Sequence, residues 1–137
     1  MAKIILASHG GLSKGMKDSV SMIVGDLAKD IETYSLLPGQ NPEDFYQEVL
    51  KEAKESEEQI VILCDIKGGS VHTALSKLAV LDNVMVFSGM NMGLVLDAVM
   101  KGLNGKLELA EANDLIEAAK DGMTVMNGMT SEDDEDF

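Results

Sequence analysis

Hydrophobic and polar positions divide the chain into short apolar runs and longer segments of helical period. Four runs are short, rich in aliphatic and β-branched residues and bounded by turn residues: KIILAS, IETYSLL, QIVILCD and NVMVFSG. These features are typical of buried strands. After the first run, the spacing predicts an amphipathic helix over roughly residues 12–24. Its apolar positions are Leu12, Met16, Val20, Ile23 and Leu27.

Each of the other runs also precedes a segment of helical period. The second helix is predicted to begin at Asn41 and Pro42, residue types preferred at the N-cap and the first helical position. A third helix follows IKGGS, a fourth lies in MNMGLVLDAVM, and a fifth lies in LELAEANDLIEAAKDG. This order predicts an α/β fold, a doubly wound, four-stranded parallel core sheet with helices on both faces.

The C-terminal part of the chain differs from this pattern. The segment from Met123 to Met126 is a candidate for one more short strand, and an acidic run extends from Ser131 to Asp136. We therefore expect one domain over residues 1–127 and an acidic, disordered tail over residues 128–137.

Charge limits the partners that the chain can bind. The formal net charge is −13, and all 11 basic residues are lysines. Nucleic-acid binding is not expected, because phosphate backbones require clustered cations. Without arginine, a bound phosphate has to be held by backbone N–H groups, hydroxyls or lysine.

Cysteine usage and the length of the apolar runs indicate the cellular compartment. Cys64 is the single cysteine and lies inside an apolar run, so we interpret it as a core residue in a reducing cytoplasm. The first strand begins at the N-terminus and leaves no room for a signal peptide. No apolar stretch approaches the ~20 residues of a membrane span. We expect a cytoplasmic protein without direct membrane insertion.

Polar residues and glycines collect where the predicted strands end. Parallel strands bring their carboxyl ends to one edge of the sheet, where α/β proteins bind ligands. The residues at these ends are Ser8, His9, Gly10 and Gly11 after the first strand, Asp65, Gly68, Gly69 and Ser70 after the third, and Ser88, Gly89 and Asn91 after the fourth. His9 and Asp65 are therefore expected to meet.

His9 is the candidate nucleophile. A buried, structural histidine at a strand end is the alternative, but Gly10 and Gly11 allow close backbone approach and precede a helix whose free N–H groups attract anions. The same helix end disfavours the imidazolium form and helps to keep a neutral, nucleophilic ring. A nucleophilic imidazole beside an anion site indicates a phosphohistidine.

The residues after the third strand allow two interpretations each. Asp65 is either a turn residue or a carboxylate that fixes the tautomer of His9. The KGGS sequence is similar to a phosphate cradle, although it is not a Walker A loop, and Ser70 is equally suited to capping the third helix. His72 is interpreted as a surface residue at the rim, because no partner at metal-ligand spacing accompanies it. We expect neither a metal nor a cofactor.

Four segments, in this order, resemble the mannose-type IIA domains of the bacterial sugar phosphotransferase system (the mannose, fructose, sorbose and N-acetylgalactosamine superfamily). They are ASHGG, PGQNPEDF, LCDIKGGSVHTAL and VFSGMNMGLVLDAV, and the resemblance covers roughly residues 3–120. That family carries His-Gly after strand one, Asp-x-x-Gly-Gly-Ser after strand three and Gly-x-Asn after strand four.

The resemblance implies a function and a site. The phosphocarrier HPr would donate its phosphoryl group to Nε2 of His9, Asp65 would orient the ring, and a IIB component would take the phosphoryl group onward for sugar uptake. The phosphoryl group would be bound by Gly10, Gly68, Gly69 and Ser70. The resemblance also implies a homodimer that exchanges a C-terminal strand, a role that Met123 to Met126 would fill. An acidic rim would suit the docking of basic phosphocarrier surfaces.

The chain departs from many relatives around the predicted site. Relatives carry tryptophan where this chain has Gly11 or Lys67, and a proline or aromatic residue where it has Val71 and His72. Met92-Gly93 also replaces an apolar-proline pair. These departures concern partner and sugar specificity rather than the identity of the acceptor.

Other functions are compatible with the same fold. A regulatory module that is phosphorylated at His9 and acts as a sensor is one alternative, and a flavodoxin-like binding module without phosphotransfer is another. A receiver domain is disfavoured because Ser8 and His9 stand where its acidic pair should be. A histidine phosphatase normally has arginine beside its histidine, and this chain has none.

Overall fold

Four parallel strands form one sheet with the order β2-β1-β3-β4 in the computed structural model, which describes residues 1–128. The strands are β1 (Lys3–His9), β2 (Glu32–Leu36), β3 (Ile60–Cys64) and β4 (Val84–Phe87). The helices are α1 (Leu12–Val24), α2 (Pro42–Glu55), α3 (Ser70–Leu75), α4 (Met92–Gly102) and α5 (Leu109–Asp121), with 3-10 helices at Gly25–Ala28 and Ser76–Val80. The part of the predicted acidic tail beyond residue 128 lies outside the described residues.

Both faces of the sheet are covered. Helices α1, α4 and α5 cover one face, where the buried strand residues include Ile4, Leu6, Val61 and Leu63. Helices α2 and α3 cover the other, where they include Ile5, Ala7, Ile60 and Ile62. Burial of each such aliphatic side chain contributes about 1.5–3 kcal/mol, which explains why the central runs are apolar at every position. The predicted doubly wound α/β fold is confirmed.

The order of the strands reverses at β1. From β1 the chain first crosses to β2 on one side and later to β3 on the other, so the connections after β1 and β3 lead to opposite faces. In register, Ala7 pairs with Cys64, which places His9 and Asp65 just beyond the last paired residues of these neighbouring strands. A crevice at such a switch point is the usual ligand site of this architecture.

The buried face of α1 differs from the predicted one. Leu12, Ile23 and Leu27 are exposed, and the buried residues of the helix are Ser13 and Val20. The buried face is rotated by roughly a quarter of a turn, at 100° per residue, from Leu12 toward Ser13. Apolar spacing misses this orientation because Ser13 is polar and is buried through a hydrogen bond from its hydroxyl to the Tyr34 carbonyl (2.8 Å).

Met123 to Met126 do not form a strand in the single chain. A strand requires a hydrogen-bonded neighbour, and β4, at the edge of the sheet, pairs only with β3 within residues 1–128. The exchange of this segment with a second copy stays a prediction. No helix in the described part of the chain has the length and apolar character needed to cross a membrane.

Gln59 links the start of β3 to the segment before α5. Its side-chain amide donates to the Leu107 carbonyl (2.9 Å) and accepts from the Leu107 N–H (2.7 Å), and both residues are buried. We expect Gln59→Ala to lower the free energy of unfolding by about 2–3 kcal/mol, because both backbone groups lose their partner. Urea denaturation measures this effect. The exposed Gln47→Ala is the matched control, and an equally small change in both variants would contradict the assignment.

Candidate functional site

His9 and Asp65 form the centre of the site. His9 is the last residue of β1, and Asp65 directly follows β3. One carboxylate oxygen of Asp65, Oδ2, accepts both the backbone N–H of His9 (2.8 Å) and a hydrogen bond from its ring Nδ1 (2.8 Å). The His9 side chain is 48% exposed and the Asp65 side chain 9%, so the carboxylate lies beneath a ring that solvent can reach.

Asp65 is held in its charged form by N–H donors. Burial opposes ionisation, but the hydrogen bonds from the His9 backbone and ring and from the Ile66 N–H outweigh it and lower the pKa of Asp65. An ionised carboxylate can only accept hydrogen bonds, so Nδ1 of His9 carries the ring proton. The lone pair of the ring is therefore on Nε2. This geometry favours the orienting role of Asp65 over that of a simple turn residue.

Ser70 faces Nε2 of the candidate nucleophile, His9. Its hydroxyl oxygen lies 3.1 Å from Nε2 of His9 and donates to it in this tautomer. The expected capping role of Ser70 is not observed, because the N-cap of α3 is Gly69 and Ser70 is the first helical residue. The hydroxyl is thus available to the site rather than to the helix end.

The three glycines predicted at the phosphoryl group shape the turns around the ring. Gly10 and Gly68 have positive φ values of 55° and 78°. A Cβ atom on Gly69 would stand 2.8 Å from Cγ2 of Ile66 and 3.2 Å from Cε1 of His9, so only glycine fits beside the ring. The backbone N–H groups of these glycines all donate within the protein. Gly10 donates to the Leu36 carbonyl, Gly69 donates to the Ile66 carbonyl, and Gly68 donates to Nδ1 of His72.

Two buried serines, Ser8 and Ser13, support the turn after β1. Ser8 is among the residues predicted at the end of this strand, but the sequence did not indicate this supporting role for either serine. The Ser8 hydroxyl accepts the N–H of Ser13 (2.8 Å) and donates to the carbonyl of Gly10 (3.2 Å). It thereby satisfies a first-turn N–H of α1, whose N-cap, Gly11, has no side chain. A serine inside an otherwise apolar strand, directly before the candidate nucleophile, was the available signal.

Three other residues considered in the sequence have contacts within the fold rather than with His9. The Asn91 side chain caps α4 by accepting the N–H of Leu94 (2.8 Å). Cys64 is buried, and burial together with the neighbouring Asp65 raises its pKa to about 12, which fits its interpretation as a core residue. His72 is half-buried and accepts the N–H of Gly68 through Nδ1 (3.1 Å). Residues 1–128 contain no group of three or more side chains arranged to hold a metal ion.

Charged residues of both signs follow the strands at the carboxyl edge of the sheet. Residues 9–14, 37–44, 65–70 and 88–92 contain the acidic residues Glu43, Asp44 and Asp65 and the lysines Lys14 and Lys67. The acidic rim and the docking of a basic partner on it stay predictions.

The fold and the site define a doubly wound α/β domain with an oriented, accessible histidine at its carboxyl edge. The chain belongs to the EIIA-man family, described as the PTS system fructose IIA component, whose model matches residues 3–120. It is therefore a mannose-type IIA component of the sugar phosphotransferase system, a family of phosphotransferase components.

Individual relatives agree with this assignment. The sorbose-specific EIIA component of Klebsiella pneumoniae is 31% identical over 101 residues, which cover 72% of this chain and 73% of the relative. A PTS IIA protein associated with the fucose utilization operon of Streptococcus pneumoniae has a solved structure with 27% identity and a TM-score of 0.72, covering 91% of this chain and 96% of that one. The mannose/sorbose-specific IIA subunit of Enterococcus faecalis shares the fold, with 23% identity and a TM-score of 0.77 over 92% of this chain and 95% of that one.

The lowered pKa of Asp65 makes a prediction for stability. Ionised Asp65 stabilises the folded state above the ordinary carboxyl pKa of about 4. This contribution is lost as the pH falls through the lower, folded-state value. We expect the difference in the free energy of unfolding between the wild type and Asp65→Asn to shrink as the pH falls from about 5 to below 3. Urea denaturation across this range tests it, with exposed Asp18→Asn as the control for the loss of one charge. A difference that stays constant with pH would contradict it.

Proposed function

We propose that the chain is a phosphohistidine carrier that accepts a phosphoryl group from phospho-HPr on Nε2 of His9 and transfers it to a IIB component for sugar uptake. The observation that carries this proposal is the pairing of Nδ1 with Asp65, which leaves Nε2 unprotonated and beside Ser70 on the accessible side of the ring. HPr and the IIB component would meet the chain in the cytoplasm.

The transfer step requires no proton movement. The Nε2 lone pair attacks the phosphorus atom in line with the donor's P–N bond, the Nε2–P bond forms, and the donor leaves as a neutral imidazole. His9 keeps its proton on Nδ1, so its phosphorylated ring becomes an imidazolium. The carboxylate of Asp65, 2.8 Å from Nδ1, stabilises this positive charge. The reverse sequence delivers the phosphoryl group to the next histidine or cysteine nucleophile.

The Ser70 hydroxyl would bind a phosphoryl oxygen. It is 3.1 Å from Nε2 and can turn from the nitrogen to an oxygen of the transferred group. In this proposal Gly10, Gly68 and Gly69 contribute by allowing the phosphoryl group and the ring to approach the backbone closely.

A homodimer with exchanged C-terminal strands is part of the proposal. Met123, Val125 and Met126 are exposed apolar residues that follow α5, and one edge of β4 has no strand paired with it within residues 1–128. Pairing of this segment with the sheet of a second copy would bury those side chains and satisfy the backbone groups of both strands.

Loss of the acceptor should abolish phosphorylation. We expect the wild type, incubated with phosphoenolpyruvate, the general donor enzyme and HPr, to gain one acid-labile phosphoryl group by intact-mass analysis. His9→Ala should gain none and should remain folded, because the side chain is half exposed and contributes little packing. His72→Asn, which removes the only other histidine, is the matched control and should still be phosphorylated.

A phosphorylated His9→Ala protein would refute the assignment of the acceptor. Addition of a IIB component to the phosphorylated wild type distinguishes a carrier from a sensor. Only a carrier transfers its phosphoryl group to the IIB component and loses the added mass.

Loss of the orienting carboxylate should slow the transfer without abolishing it. We expect Asp65→Ala to reduce the single-turnover rate from phospho-HPr by ~10²-fold, within the range of general acid–base and positioning effects. Asp65→Asn keeps an oxygen that can accept a hydrogen bond from Nδ1 but has no charge to stabilise the imidazolium. Its transfer rate should therefore lie between those of the wild type and Asp65→Ala. A wild-type rate in Asp65→Ala would return Asp65 to the role of a turn residue.

A further inference from the structure

The turn between β3 and α3 is fixed by residues of α3. Ile66 to Gly69 form a tight turn closed by the Gly69 N–H to the Ile66 carbonyl (3.1 Å), with Gly68 at positive φ. The backbone of Gly68 is then held by two side chains. Its N–H donates to Nδ1 of His72 (3.1 Å), and its carbonyl accepts from the Thr73 hydroxyl (3.3 Å).

This turn forms one side of the His9 site. Gly69 has no room for a side chain because Cε1 of His9 lies 3.2 Å from the position of its Cβ. Ser70, whose hydroxyl contacts Nε2 of His9, follows immediately. A change in the conformation of Gly68 would therefore move both the residue packed against the ring and the hydroxyl that contacts its nucleophilic nitrogen.

We propose that His72 is a positioning residue for phosphoryl transfer at His9. Nδ1 of His72 accepts the Gly68 N–H and holds the turn from Ile66 to Gly69 against the His9 ring. His72 makes no hydrogen bond to Nε2 of His9 and acts only through the turn. The expected effect on the transfer rate rests on the proposed function. The expected effect on the position of the turn beside the His9 ring can be measured without any phosphoryl donor.

The side chain needed at this position can be defined chemically. Nδ1 is two bonds from Cβ, and the side-chain oxygen of asparagine occupies the equivalent place and also accepts hydrogen bonds. Leucine has a similar branched shape but no acceptor. His72→Asn is therefore the conservative variant and His72→Leu the disruptive one. His72 is half-buried, so both variants should fold, and urea denaturation checks this.

The first test observes the His9 ring directly. The chain has two histidines, so each His72 variant has a single imidazole Cε1–H signal in a carbon–proton correlation spectrum. We expect the Cε1–H signal of His9 to shift or broaden in His72→Leu, because Gly69 packs against this atom, and to keep its wild-type position in His72→Asn. An unchanged signal in His72→Leu would overturn the proposal, even for a protein that accepts no phosphoryl group.

The second test measures transfer. With saturating phospho-HPr, we expect His72→Leu to slow single-turnover phosphorylation of His9 roughly two- to tenfold, the range of one hydrogen bond of ordinary net strength. The donor concentration at half-saturation should not change, and His72→Asn should restore the rate. Equal rates in His72→Leu and the wild type, or slow transfer in both variants, would also overturn it. A wild type that is never phosphorylated would instead refute the proposed function, with the ring signal still deciding the role of His72.

Discussion

The site depends on one carboxylate oxygen that accepts two hydrogen bonds from the same residue. Oδ2 of Asp65 binds both the backbone N–H and the ring Nδ1 of His9, so it fixes the end of β1 and the orientation of the imidazole together. The arrangement requires β1 and β3 to be neighbours at the point where the strand order reverses. Because the carboxylate is nearly buried and charged, the tautomer of His9 is determined before any partner approaches.

Within residues 1–128, the other hydrogen-bond partners of this pair are neutral: the Ser70 hydroxyl and the Ile66 N–H. The chain has no arginine, and Nε2 of His9 pairs with the Ser70 hydroxyl. Under the proposed function this is suited to a carrier, because the phosphoryl group has to leave again for the next protein. A bidentate guanidinium would stabilise the phosphorylated state more strongly and oppose its release. In this proposal the positive charge of the phosphorylated ring would instead be balanced by Asp65, which stays with the protein.

Both glycine turns beside His9 are held by polar side chains close in sequence. The carbonyl of Gly10 accepts from Ser8, and the N–H of Gly68 donates to His72. Glycine makes positive φ accessible but does not by itself select one conformation, since it adopts many others easily. The supporting side chains reduce this freedom, which is why, under the proposed function, residues outside the proposed phosphoryl-binding motif are expected to affect chemistry at His9.

Local sequence determined the elements, their parallel order and the pairing of His9 with Asp65. Apolar runs, turn residues and helix-starting residues such as Asn41 act over a few positions, and a parallel sheet brings strand ends together by topology alone. Only the tertiary structure decided the buried face of α1, the contact of Ser70 with Nε2 and the acceptors of the glycine N–H groups. These features depend on helix rotation, strand register and hydrogen bonds between distant residues, as in the bond from Ser13 to Tyr34. Spacing along the chain does not encode these relations, because a polar residue that is buried through a distant partner looks like an exposed one in the sequence.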